Sequence, residues 1–263
     1  MKIYIMTDLE GTAGVVDFES QTYPSGKYFE IAKELATEEV NSACEGAFEA
    51  GIEEILVVDG HGPGGIIPEK IHPDVKLVHG RPLPKAFNLE QGWDAAFLIG
   101  HHAMNGTENG NLNHSYSSRD IVRMTLNGKE IGEIGMEIFL AGYFDIPVVL
   151  ISGDEAGCKE AEMYNKSIEK AVVKWGITRT SAISVSPLKA RKIIKQSAQK
   201  SIKRINEIKP IKFKGECNLT IEFISSANAF VWQNKAGIEK VSPRTIGIRG
   251  DSFIDVWNKF YLG

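Results

Sequence analysis

Along the chain, apolar and polar positions sort into short unbroken apolar runs and longer periodic stretches. Runs of strand length recur at 2–7 (KIYIMT), 53–59 (EEILVVD), 75–80 (VKLVHG), 95–101 (AAFLIGH) and 146–154 (IPVVLISGD). Runs rich in Val, Ile and Leu without alternation suit strands covered on both faces, the habit of parallel sheets. Between the first two, Ile31, Leu35, Val40, Ala43, Ala47 and Phe48 fall near helical spacing, and Gly51 stands where a helix would stop. Strand, long helix and buried strand make a βαβ unit, so the sequence predicts an α/β fold. Its core is a mostly parallel, Rossmann-like sheet flanked by helices.

The pattern changes further along. Asn127-Gly128 sits between two strand-like segments, a strong hairpin signal, and residues 133–144 read as a helix leading back into the strand at 146–154. Beyond residue 156 a basic helix is predicted over 186–208, with Ser186 as N-cap and Pro187 at the first helical position. Its apolar stripe, Ile194, Ala198, Ile202 and Ile205, packs on the body and leaves a solvated basic face. Runs at 217–225 and 245–251 alternate more and look less buried. The predicted division is a catalytic α/β domain over 1–155 and a second, smaller α/β lobe over 156–263. No internal repeat interrupts either part.

Composition narrows the class. Of 263 residues, 43% are hydrophobic and 24% charged, with a formal net charge of −4, which gives no footprint for nucleic acid or an anionic membrane. No apolar run reaches transmembrane length, and the N-terminus has no secretory pattern. Three widely spaced cysteines, Cys44, Cys158 and Cys217, argue against a disulfide framework or a thiolate zinc site. A cytoplasmic protein is expected.

The chemistry gathers at strand ends. Asp8 and Glu10 follow the first strand two residues apart, so on an extended chain both side chains point to one side. Alone, such a pair serves as turn acids or helix caps as readily as anything else. But Asp59 and His61 close the second strand before a glycine-rich loop, and His101 and His102 close the strand at 95–101. Ligands in open α/β sheets bind outside the carboxyl ends of the strands. Oxygen and nitrogen donors there suit zinc or a related divalent cation, which would also relieve the repulsion of the paired carboxylates. His101 and His102 face opposite sides of a strand, so one joins the site. Glu133 opens a helix, where an acid also favours the helix dipole. His114 lies on a polar loop of the kind that carries function. His72 and His79 lack such companions and read as structural.

Five blocks in order and register, DLEG (8–11), DGHG (59–62), GHHA (100–103), NHS (113–115) and GEIG (132–135), resemble the D-aminopeptidase family of binuclear zinc metallopeptidases. The segment 141–162 is also similar to the family's stretch after its last ligand. The resemblance implies two zinc ions per subunit, with Asp8 bridging them and Glu10, His61, His102 and Glu133 completing the ligand set. His114 matches the family's catalytic histidine. The family describes it as the nucleophile, and a general acid or base or an oxyanion stabiliser is the other role such a site allows. The implied activity is removal of N-terminal residues from short peptides, D-amino-acid-containing ones among them, by zinc-activated water. A homo-oligomer, a decamer with inward-facing sites, is implied too. Met6, His101 and Met104 depart from the family's pattern, which bears on side-chain preference and D/L selectivity. Two other readings use the same donors: a two-metal amidase or phosphatase, and a metal-dependent binding protein without turnover. Against the phosphatase, the glycines after His61 lack the lysine of a phosphate loop.

Overall fold

The computed structural model describes residues 1–262. Its main sheet has seven strands: β1 (Lys2–Thr7), β2 (Glu54–Asp59), β3 (Lys76–Val78), β4 (Ala95–His101), β7 (Val148–Asp154), β8 (Glu169–Thr178) and β9 (Ser181–Ser184). They lie in the order β3-β2-β1-β4-β7-β8-β9, parallel throughout except for the β8–β9 hairpin. The chain runs outward from β1 to β3 and then returns to place β4 on the other side of β1. That reversal opens a crevice at the carboxyl ends of β1 and β4, the place where doubly wound sheets bind ligands.

The apolar runs of β1, β2, β4 and β7 are buried on both faces, as predicted, whereas the run at 75–80 forms the short edge strand β3, whose residues are half-buried or exposed. Ile3 and Ile5 of β1 point to one side and Tyr4 and Met6 to the other, the period-two alternation of a strand. On the first side lie α2 (Phe29–Glu49), through Val40 and Cys44, and α5 (Pro187–Lys203), through Ile194 and Ile202. Ser186 caps α5 by accepting from the Lys189 N–H. The predicted stripe holds except for Ile205, which lies in a short 3-10 turn beyond the helix. Short α1 (Phe18–Gln21) packs beside α2 through Phe18, whereas α4 (Glu155–Tyr164) lies on the opposite face, where Cys158 and Ala161 join the core that holds Tyr4 and Met6. Strand β7 begins later than the apolar run because Pro147 has no N–H to give a ladder.

On the other side lie α3 (Glu133–Tyr143) and a second, antiparallel sheet of five strands. It comprises β5 (Ile121–Leu126), β6 (Lys129–Glu130), β10 (Cys217–Phe223), β11 (Ile238–Ser242) and β12 (Thr245–Gly250), with α6 (Ser226–Gln233) and α7 (Phe253–Leu262) packed on it. The β5–β6 turn has positive φ at both Asn127 (49°) and Gly128 (79°), the geometry the Asn-Gly pair predicts.

The two sheets do not part at residue 155. Strands β8 and β9 and helix α5, from the predicted second lobe, extend and cover the large sheet, while β5 and β6, from the first, belong to the small one. One continuous core joins Met6 and Leu98 of the large sheet to Leu219, Ile248 and Trp257 of the small one. The physical reason is that long-range strand pairing, which composition does not encode, decides which layer each strand enters.

Candidate metal centre

Asp8 and Glu10 follow β1, His61 follows β2, His102 follows β4 and Glu133 opens α3. The loop after β1 crosses directly over the end of β4: the Asp8 N–H donates to the Ile99 carbonyl (2.8 Å) and the Gly11 N–H to the Gly100 carbonyl (2.7 Å). A Cβ at residue 11 would sit 2.0 Å from the His101 carbonyl oxygen, and one at residue 100, where φ is 79°, 2.3 Å from that of Asp8. The glycines of DLEG and GHH are therefore fixed by this backbone crossing.

Two triads of donor groups result, Asp8–Glu10–His61 and His102–His114–Glu133. Asp8 joins them, with one carboxylate oxygen 3.4 Å from His61 Nδ1 and the other 3.2 Å from His102 Nε2. Glu10 Oε2 lies 3.0 Å from His61 Nδ1, and Glu133 Oε1 lies 3.6 Å from His102 Nε2 and 3.7 Å from His114 Nε2.

The far side of each imidazole settles its tautomer. His61 Nε2 donates to the Thr22 carbonyl (2.9 Å), His102 Nδ1 to that of Ala103 (2.9 Å) and His114 Nδ1 to that of Leu112 (2.9 Å). A carbonyl only accepts, so in the neutral rings the lone pairs of His61 Nδ1, His102 Nε2 and His114 Nε2 face the carboxylates. Lone pairs and carboxylate oxygens repel unless protons or cations lie between them. Asp8 Oδ2 and Glu10 Oε2 are buried and accept no hydrogen bond, as sites for a cation require. Backbone carbonyls behind ligating histidines are the usual outer support of a metal centre. The donor set fits zinc or a similar divalent ion, and each triad could hold one.

Without a cation, the group shares out charge. Burial raises the Asp8 carboxyl, but His102 and His61 outweigh it and hold it well below the usual range. Burial opposes charging of His61, yet Glu10 and Asp8 lift it well above the ordinary imidazole value. Burial likewise opposes His102, and Asp8 and Glu133 lift it to about 10. Burial pushes Glu133 up to about 7, whereas burial and the charge of His102 push His114 well down.

All six residues singled out from the sequence meet in this cluster. Asp59 does not: its carboxylate accepts from the Gly65 N–H (2.9 Å) and Ile66 N–H (3.2 Å) and shapes the loop beyond His61. His101 turns away to Glu137, 2.7 Å from its Nε2. Three residues that carry the site escape sequence reasoning. Lys174 of β8, fully buried, donates from Nζ to the carbonyls of Glu10 and Val15 (2.7 Å) and pins the loop after β1. Arg179 donates to the Asn113 and Ser118 carbonyls (both 3.1 Å), framing the His114 loop. Glu137 lies one turn beyond Glu133 on α3. A cavity of about 400 Å³ opens onto the cluster and is walled by Met6, Phe87, Arg81, Tyr116, Glu137 and Tyr261 among others.

An α/β enzyme with a carboxylate–histidine centre at its strand ends is the class that this fold and site define. The D-aminopeptidase family model matches residues 1–262. A D-aminopeptidase of Bacillus subtilis is 31% identical over 238 residues, covering 89% of this chain and 85% of the relative. A solved structure of a zinc-dependent D-aminopeptidase from the same species, described as a self-compartmentalizing protease, superposes with a TM-score of 0.93 at 27% identity. That match covers 100% of this chain and 96% of the other. The chain belongs to the D-aminopeptidase family.

Proposed function

We propose that this protein is a zinc-dependent aminopeptidase that removes the N-terminal residue from short peptides, those with D-amino acids included. One observation carries the reading: three histidine lone pairs and three carboxylates converge, and Asp8 Oδ2 and Glu10 Oε2 are buried without a hydrogen-bond partner. Two zinc ions per subunit would be held by Asp8 as the shared ligand, with Glu10 and His61 on one side and His102 and Glu133 on the other. Zinc in this setting supplies Lewis-acid polarisation of the scissile carbonyl and makes water acidic near neutral pH. His114 offers Nε2 to the reacting group, because its Nδ1–H is held by the Leu112 carbonyl; from that atom it can accept a proton and return it to the leaving amine.

The named relative's self-compartmentalizing character supports a homo-oligomer, and we propose a decamer. Large apolar side chains stand exposed at two separate regions, Ile177, Ile183 and Leu188 beside the edge hairpin, and Phe230 and Val231 of α6 with Val241 of β11. Two unlike patches suit the several interfaces that a closed assembly needs. The three cysteines are free and buried, which supports a reducing, cytoplasmic setting. No helix among the described residues is long and apolar enough to cross a membrane.

The test is hydrolysis of D-Ala and L-Ala p-nitroanilides and of p-nitrophenyl phosphate, with and without added zinc. Zinc-dependent release of nitroaniline without phosphatase activity is expected. Phosphate-ester cleavage alone, or no turnover by the zinc-loaded protein, would overturn the reading.

A further inference from the structure

We infer that Glu137 is the anchor for the free α-ammonium group of the substrate, an inference that rests on the aminopeptidase reading. Glu137 follows Glu133 by four residues on α3, so the two side chains leave the same face of the helix one turn apart. It lines the catalytic cavity, and it also borders a small apolar void formed with Tyr4, Phe87, Leu98 and Leu140. Its carboxylate is therefore set against apolar surroundings at the end of the cavity wall.

One oxygen of Glu137 is fixed. His101 Nε2 lies 2.7 Å from Oε2, and His101 is itself buried to 2% exposure. The other oxygen, Oε1, accepts no hydrogen bond among the described residues. The side chain keeps 12% of its surface open. On the same cavity, the buried hydroxyl of Tyr116 also lacks a partner. An ammonium group needs acceptors for three N–H bonds, and a carboxylate oxygen and a phenol oxygen on one cavity are two of the right kind.

Asp120 is the other cavity carboxylate outside the proposed ligand set, and it is spoken for. Its Oδ1 accepts from Asn228 Nδ2 (2.8 Å) and its Oδ2 from Ser117 Oγ (2.9 Å). Glu137 alone combines a fixed carboxylate, an open oxygen and a place one helical turn from a proposed metal ligand. That distance suits a substrate whose cationic nitrogen lies two bonds from the carbonyl to be cut. An ion pair formed in such a poorly solvated pocket is stronger than the same pair in water. This gives the tandem histidines separate tasks: His102 belongs to the metal cluster, and His101 holds the ammonium anchor.

Calorimetric titration of the zinc-loaded protein with D-alaninamide and with propanamide, which lacks the amine, tests the assignment. D-Alaninamide is expected to bind at least tenfold more tightly than propanamide. Glu137→Gln, which keeps the hydrogen bond with His101 but removes the charge, should abolish that preference and leave propanamide binding and metal content unchanged. Should the Gln variant not fold, Glu137→Asp, which withdraws the charge by one methylene, is expected to weaken D-alaninamide alone. Equal binding of the two ligands by the unmodified protein, or a preference that survives in the variant, overturns the inference. The two readings fail separately. An amine preference that depends on Glu137 in a protein that cleaves no peptide would sink the aminopeptidase reading alone, whereas peptide cleavage without that preference would sink only the role of Glu137.

Discussion

The rings of His102 and His114 lie stacked, with centroids 4.0 Å apart and planes within 11° of parallel. Both direct Nε2 at the same Glu133 oxygen, yet only His102 also reaches Asp8. The two histidines are thus held alike and equipped differently: one is tied into the shared carboxylate, the other borders the open cavity.

His114→Ala should keep its metal and lose turnover. The expected fall in kcat is about 10²- to 10⁴-fold, the usual worth of a positioned proton-transfer group. Elemental analysis beside the nitroanilide assay reads both quantities. Full activity in this variant would remove His114 from the chemistry, and loss of metal would make it a ligand.

For the tandem pair the expectations are opposite. His102→Ala should lose bound metal and activity together. His101→Ala should retain metal but lose stability on the order of 3 kcal/mol, because it strips a buried partner from Glu137. Metal content and urea unfolding of the two variants separate these outcomes, and the reverse pattern would exchange the roles.

Much of this was legible in the sequence, and the limits have physical causes. Unbroken apolar runs gave β1, β2, β4 and β7, because strands buried on both faces cannot hide their composition. Asp8, Glu10, His61 and His102 were readable because each sits just beyond such a run, whereas Glu133 opens α3 and came through the family resemblance. Strand β8 was not readable. Its residues Glu169, Lys170 and Lys174 break the apolar pattern, although Lys174 is fully buried. A lysine that earns burial by donating to carbonyls 159 and 164 positions away leaves no local signal. Likewise, nothing local tells β5 that its second partner lies near residue 220.

Lys174→Met should loosen the loop after β1. It leaves the carbonyls of Glu10 and Val15 without their buried donor, at about 1–3 kcal/mol for each orphaned group. A lower melting temperature and weaker metal retention under chelator challenge are expected. Unchanged metal retention would show that the loop holds itself.

Glu160 makes stability depend on pH. Burial raises its carboxyl from 4.5 to about 7, with the Met104 N–H donating to Oε2 (2.7 Å) while Oε1 has no partner. The folded protein keeps this proton at pH values where the unfolded chain releases it, so the group's contribution falls as pH rises from about 4.5 to about 7 and then levels off. Glu160→Gln keeps the acceptor and removes the titration. Its gain over the unmodified protein should be near zero at pH 4 and about 2–3 kcal/mol at pH 8. Denaturant unfolding across that range checks the sign; a variant less stable at pH 8 than at pH 4, relative to the unmodified protein, contradicts it.

The proposed ligand set has Asp8, Glu10, His61, His102 and Glu133 holding two cations with Asp8 between them. Anomalous diffraction at the zinc absorption edge, from crystals of the zinc-loaded protein, tests it most directly. Two anomalous peaks are expected within this cluster, one near Glu10 and His61 and one near His102 and Glu133, both within coordination distance of Asp8. A single peak, or peaks that leave Asp8 uncoordinated, would contradict it.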